Sequence, residues 1–434
     1  MRRLVLICLL IGIAVCLSIA ESDYTELIVI VRDNSSINKA AAATRSVIAD
    51  KVPNAPVYLL RSRGPNDVRQ KLDEVRQIPG VESAEENRRI ALTAADAVAP
   101  NYANLAHALA DLLDGSTQVP FYGVNVLKAY AEQPALDVIR ATFVRHISTG
   151  AGTRVAYIDT GVDPYHPALQ PWLEPGVDLL RQNSASELDG LDHAMSDLLD
   201  HAMSDLLDQR FFFTLHSSEG GSSFPPAFGH GTMVAGLIHA VAPEARIFPI
   251  KAFDPYGQTS VFAIVKGVYS AIDAGADVLN MSFSTDIDSP AFHKALDSAK
   301  ASGMALTAAV GNEGTDADLY PAAYSPVYGV AATDAGDKVA EFSNYGSAVK
   351  ISAPGVLVIS TAPGGRYAIA SGTSFSAPIV AGGIAVVSST RGRGLNDQAL
   401  IAAYADSIDA LNPGLERKLG MGRINLLQAL RSGK

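Results

Sequence analysis

From about residue 126 onward, short unbroken apolar runs alternate with longer stretches of helical period. The runs T-R-V-A-Y-I (153–158), A-R-I-F-P-I-K-A (245–252), D-V-L-N-M-S (277–282), M-A-L-T-A-A-V (304–310), V-Y-G-V-A-A (327–332) and V-K-I-S-A-P (349–354) predict strands. Helical patterns fall between them, for example at 261–274 and 290–302. Apolar strands without polar alternation must be covered on both faces. The fold class expected is therefore α/β: a mostly parallel central sheet with helices on both faces. In such sheets sites gather beyond the C-terminal strand ends.

The first part of the chain has another pattern. E-L-I-V-I-V (26–31) and V-Y-L-L-R-S (57–62) predict strands, and P-G-V-E-S-A-E-E-N-R-R-I (79–90) an extended segment. Residues 35–49 predict a helix capped by Ser35 or Ser36, and 67–77 a helix with Val68, Leu72 and Val75 on one face. The expectation is a small α+β domain over 21–90 with the order β-α-β-α-β. Residues 91–121 are Ala-rich and predict a helical linker. The larger domain then runs from 122 to 434. It carries a helical insertion around 180–225, where H-A-M-S-D-L-L-D occurs at 193–200 and again at 201–208. A looser copy, H-A-L-A-D-L-L-D, stands at 107–114. With nothing nearby to complete a ligand set, the repeat reads as an amphipathic helix whose His and Asp face solvent.

Composition narrows the function. The 434 residues are 48% hydrophobic and 18% charged, enough for a large core. The formal charge of −11 argues against nonspecific nucleic-acid or anionic-membrane binding. At the N-terminus, Arg2 and Arg3 precede an apolar run and small residues at Ser18 and Ala20, the pattern of a signal peptide over 1–20. That run is short for a membrane span, so the expected location is secreted, extracellular or periplasmic, with no membrane attachment after cleavage. Both cysteines, Cys8 and Cys16, lie in this segment. The exported chain would then hold no disulfide, thiol nucleophile or thiolate metal site.

Polar groups with chemical potential stand at element ends. In V-A-Y-I-D-T-G-V-D, Asp159 ends a strand before glycine, and Asp163 reads as a turn or support residue. In F-G-H-G-T-M-V-A-G-L-I-H, His230 has a glycine on each side and opens an apolar helix, while His239 reads as an ordinary, partly buried histidine. In S-G-T-S-F-S-A-P, Ser374 falls near a helix N-terminus, where unpaired N–H groups can hold an oxyanion. Ser371 belongs to the preceding turn, and Ser376 is placed to meet a backbone carbonyl. A serine needs a base, histidine has a suitable pKa, and an aspartate can orient the histidine. Asn312, in T-A-A-V-G-N-E-G, supplies an amide able to donate to a developing oxyanion.

The segments D-T-G (159–161), H-G-T-M-V-A-G (230–236), G-N-E-G (311–314) and G-T-S-F-S-A-P (372–378) resemble the four signature blocks of the subtilisin-like serine peptidases. The resemblance covers about 122–430. It implies catalytic roles for Asp159, His230 and Ser374, and an oxyanion-hole role for Asn312. It also implies that Asn280, Met281, Ser282, Phe283 and Ser284, with Gly311, bind an extended substrate. The 21–90 domain is similar in arrangement to the family's prodomain, an intramolecular inhibitor and folding aid. The implied function is a secreted serine endopeptidase acting on protein or peptide substrates through a covalent acyl-enzyme. An inactive or self-inhibited peptide-binding protein is the alternative, and an esterase a third reading. No cofactor is needed for this chemistry. The loop that holds a tight calcium in many members is absent after H-G-T-M-V-A-G, and no other coordination pattern stands out, so structural calcium stays open. Further departures are Met233 where many members have histidine and Phe375 where many have methionine.

Overall fold

The structure, a computed structural model, describes residues 24–63, 67–92, 117–180, 225–391 and 396–432. The expected signal segment with Cys8 and Cys16, all three copies of the repeat and nearly all of the expected 180–225 insertion lie outside the described residues. So does 93–116, the bulk of the expected linker.

The described residues fall into two units. The first holds 24–89 together with 260–269 and 289–294. Its strands are β1 (Tyr24–Val31), β2 (Val47–Lys51), β3 (Val57–Arg63) and β4 (Val81–Glu86), with helices α1 (Asn34–Ala43) and α2 (Val68–Arg76). They form an antiparallel sheet of order β2-β3-β1-β4, the split β-α-β arrangement. Leu27, Val29, Val31, Ile37, Leu60 and Val75 make its core.

Two expectations fail here. The helix expected over 35–49 stops at Ala43, because Arg45 takes a left-handed φ of 51° and the β-branched Val47 and Ile48 enter an edge strand. The order is therefore β-α-β-β-α-β. The cap is Asp33 rather than either serine, since its carboxylate accepts from the amides of both Ser35 and Ser36. The two serine hydroxyls also donate to it and, with the amides, lower its pKa to about 2.

The second unit is built on seven parallel strands: β5 (Arg154–Asp159), β6 (Val177–Asp178), β7 (Arg246–Lys251), β8 (Val278–Met281), β9 (Ala305–Ala309), β10 (Tyr328–Thr333) and β11 (Val349–Pro354). Their order is β11-β10-β9-β8-β5-β7-β6. All six predicted strands are present. Only β6, two residues long, had no legible pattern. Consecutive residues along β5, β8 and β9 are buried, so both faces of the sheet are covered.

The helices following in the chain are α3 (His230–Val241), α4 (Val261–Asp273), α5 (Pro290–Ala301) and α6 (Thr373–Ser388). Helices α3 and α6 are buried along their whole length and pack on each other. Pro378 lies inside α6, not among its unpaired first amides, and the Ser374 carbonyl that it leaves without an intrahelical donor accepts from Ser282 Oγ at 2.7 Å instead. The end of the expected linker is not helical. Gln118–Phe121 and Val124–Leu127 form a hairpin, turned by Tyr122 (φ 46°) and Gly123 (φ 87°), the positive pair that a tight hairpin turn requires.

Strand β5 sits where the sheet order switches. Later strands lie to one side of it, and β7 and β6 to the other. The crevice at its C-terminal end is where an open parallel sheet leaves room for a ligand. Asp159 is the last residue of β5.

Candidate active site

Asp159 is fully buried, and its Oδ1 lies 2.7 Å from His230 Nδ1. That contact puts the proton on Nδ1 and leaves Nε2 as the acceptor. The same Oδ1 accepts from Thr160 N at 2.8 Å. His230 is the first residue of α3, and Gly229 before it adopts a left-handed φ of 87°. Gly231 N donates to Thr160 Oγ1 at 3.0 Å, which joins the helix start to the end of β5. The approach excludes any side chain: a Cβ on Gly231 would stand 2.1 Å from Gly161 O. The glycines around His230 thus let the helix start press against the aspartate's own turn.

Ser374 is the second residue of α6, with Gly372 (φ 152°) as cap. Its Oγ donates to Ser282 O at 3.0 Å. Ser282 Oγ returns a bond to Ser374 O at 2.7 Å and accepts from Asn280 Nδ2 at 2.8 Å. Thr307 Oγ1 holds the other end of the Asn280 amide at 3.1 Å. Asn312 Oδ1 accepts from both Thr373 N (2.9 Å) and Thr373 Oγ1 (2.8 Å). Two donors on one oxygen fix the amide's orientation, so its NH2 end is the one available to an incoming oxygen. Gly311 N also donates to Thr373 Oγ1.

Short contacts thus join Asp159 to His230, Ser374 to Ser282 and Asn280, and Asn312 and Gly311 to Thr373, the neighbour of Ser374. The remaining residues of 280–284 are placed differently. Met281 and Phe283 point into the core, Phe283 against Phe253 with ring centroids 5.1 Å apart. Only their backbone could meet a ligand. Ser284 is buried, and its hydroxyl has no hydrogen-bond partner.

Neighbouring polar residues sort by their partners. Asp163 accepts from Tyr165 N and Gly364 N, a scaffold role. Ser371 Oγ accepts from Leu357 N and holds the turn before α6. Ser376 departs from expectation: its buried hydroxyl meets no carbonyl and has no partner. His239 is not partly buried but wholly so, within the rings of Phe121, Tyr130 and Trp172. Neither of its ring nitrogens makes a hydrogen bond of proper geometry, although the nearby Pro243 carbonyl weakly favours the charged form. Burial pushes its pKa down to about 3, helped by His166 and Arg145.

Two contributors were given no role by the sequence, although Phe375 stood out as a departure. Thr373, between the glycine and Ser374, orients Asn312. Phe375, fully buried, places its ring 5.4 Å from that of His230 at 45°. Among the described residues no cluster of three or more His, Cys, Asp or Glu side chains could hold a metal ion.

A parallel sheet whose strand ends bring together an aspartate–histidine pair, a serine at a helix start and an oriented amide defines a peptidase-like hydrolase class. The family model of the subtilase family matches residues 150–422, more than half of the chain, and the protein belongs to that family. It is 30% identical over 302 residues to thermitase of Thermoactinomyces vulgaris, covering 67% of this chain and 93% of that one. It is 32% identical over 290 residues to a thermophilic serine proteinase of Bacillus sp. (strain AK1), covering 64% of this chain and 62% of that protein. The fold is shared with fervidolysin of Fervidobacterium pennivorans, a keratinolytic enzyme related to subtilisin (TM-score 0.70, 24% identity). That match covers 94% of this chain and 61% of the other.

Proposed function

We propose that the protein is a secreted serine endopeptidase. Ser374 Oγ attacks the scissile carbonyl while His230 Nε2 takes its proton. Asp159 keeps His230 in the required tautomer and stabilises the imidazolium that forms. The oxyanion is held by Asn312 Nδ2 and the backbone N–H of Ser374. Loss of the corresponding side-chain donor in subtilisin costs about 2.7–4 kcal/mol. His230 then protonates the leaving amine, and water releases the acyl group by the same steps in reverse. The observation that carries this reading is the 2.7 Å Asp159–His230 contact at the end of β5, opposite the start of α6.

The test is Ser374→Ala. It is expected to abolish both peptide hydrolysis and covalent labelling by a serine-directed phosphonate, with the fold intact. Hydrolysis retained in a clean preparation overturns the assignment.

We also propose that the 21–90 segment is an inhibitory prodomain. Arg89–Ala91 pairs with Gln258–Ser260, and Leu92 N donates to Gly257 O at 2.7 Å. The turn before that strand leans on Ala227, three residues before His230 (Ala227 N to Pro255 O, 3.0 Å). Residues 90–92 thus run extended along 257–259, as a bound peptide would along a strand edge. The same feature favours the second reading, a self-inhibited peptide binder. Intact mass of the secreted protein separates them: autoprocessing removes the segment ending beyond Leu92 in the wild type and leaves it in Ser374→Ala.

A further inference from the structure

We propose that Phe375 is a positioning residue for the general base: its ring stabilises the imidazolium that His230 becomes as it takes the serine proton. The proposal rests on the catalytic reading of His230 given above. Three observations lead to it. Phe375 follows Ser374 in α6 and is fully buried, so its ring is fixed by the core and moves with the nucleophile. The ring centroids of Phe375 and His230 are 5.4 Å apart at 45°, within the roughly 6 Å over which a cation feels an aromatic quadrupole. Ser374 Oγ directs its hydrogen to Ser282 O, and must redirect it to His230 Nε2 before transfer.

The charge therefore appears on His230 during the reaction. An interaction that strengthens with that charge lowers the barrier rather than only the ground state. Asp159 serves the Nδ1 side of the ring. Phe375 supplies a fixed aromatic ring beside the same cation from α6, its centroid 5.4 Å from that of His230.

Strand β7 brings Lys251 into register beside Asp159, and β6 brings Asp178 beside Lys251. Asp163 is held by the amides of Tyr165 and Gly364. On α3 itself His239 faces the Phe121–Tyr130–Trp172 cluster, and α6 carries no charged residue. Asp159 contacts the ring at Nδ1, and Phe375 flanks it from α6.

The experiment compares Phe375→Leu with fluorinated phenylalanines placed at 375 by codon suppression. The latter keep the ring's shape while draining its π-density, so they report on the interaction even where the leucine variant folds poorly. Phosphonate titration counts the competent sites, and kcat and kcat/KM are followed against pH with a short peptide. Expected are an unchanged KM, a kcat lower by about 3- to 10-fold, and an acid limb moved down by about 0.5–1 pH unit, graded with fluorination. An acid limb that stays in place through the fluorinated series overturns the proposal, whatever happens to kcat in Phe375→Leu. A wild-type protein that neither labels nor hydrolyses would instead refute the catalytic reading itself.

Discussion

His239→Phe should make the protein markedly less sensitive to acid. His239 lies on the helix that begins with His230, walled in by Phe121, Tyr130 and Trp172, and its folded pKa is about 3 against an ordinary 6.5. The sign follows from linkage. Between pH 6.5 and 3 the unfolded chain binds a proton at this histidine and the folded chain does not. The folded state is therefore favoured fully above 6.5 and loses ground as pH falls toward 3. Each unit costs about 1.36 kcal/mol, so between pH 6.5 and 4.5 the loss from this one group is about 2.7 kcal/mol. Phenylalanine cannot titrate and matches the aromatic surroundings. Both proteins would carry Ser374→Ala to prevent self-digestion, and urea unfolding would be followed at pH 7 and 4.5. His166, Arg145, Tyr130 and Tyr367 stay in both, so their titration cancels to first order. The difference in stability between variant and parent should grow by about 2–3 kcal/mol on acidification. An equal pH dependence in the two proteins would refute the reasoning.

Two further substitutions probe local packing. Gly231→Ala drives a methyl to 2.1 Å from Gly161 O, so the start of α3 must retreat from the end of β5; activity should fall at least about 10²-fold and thermal unfolding should show a loss of about 1–3 kcal/mol. Ser376→Ala removes a buried hydroxyl that has no partner, so stability should be unchanged or rise by up to about 1 kcal/mol, read from the denaturation midpoint, with kcat preserved.

Much of the molecule could be read from the chain. Six of the seven parallel strands announce themselves because a strand covered on both faces is apolar at most positions instead of alternating. The site residues are legible because Asp159, His230, Asn312 and Ser374 each sit near an element end within two positions of a glycine, and only together do a carboxylate, an imidazole, a hydroxyl and an amide make sense as chemistry. Where the reading failed, competing local preferences were close. Residues 44–49 follow a good helix former, yet Arg45 turns left-handed and Val47 and Ile48 find hydrogen bonds on β3 that a longer helix would not have offered.

The sequence alone determined which residues could take part and that an α/β scaffold would carry them. Tertiary structure decided their relations. It set the Asp159–His230 distance, the side of Asn312 that faces outward through Thr373, and the burial of Met281 and Phe283, which leaves only their backbone for a ligand. It also placed Phe375 against His230, and it enclosed His239 while leaving Ser376 without a bond. These are contacts between residues tens to hundreds of positions apart. Periodicity and motif report on a residue's own element, whereas such contacts are fixed only when the sheet and its helices close on one another.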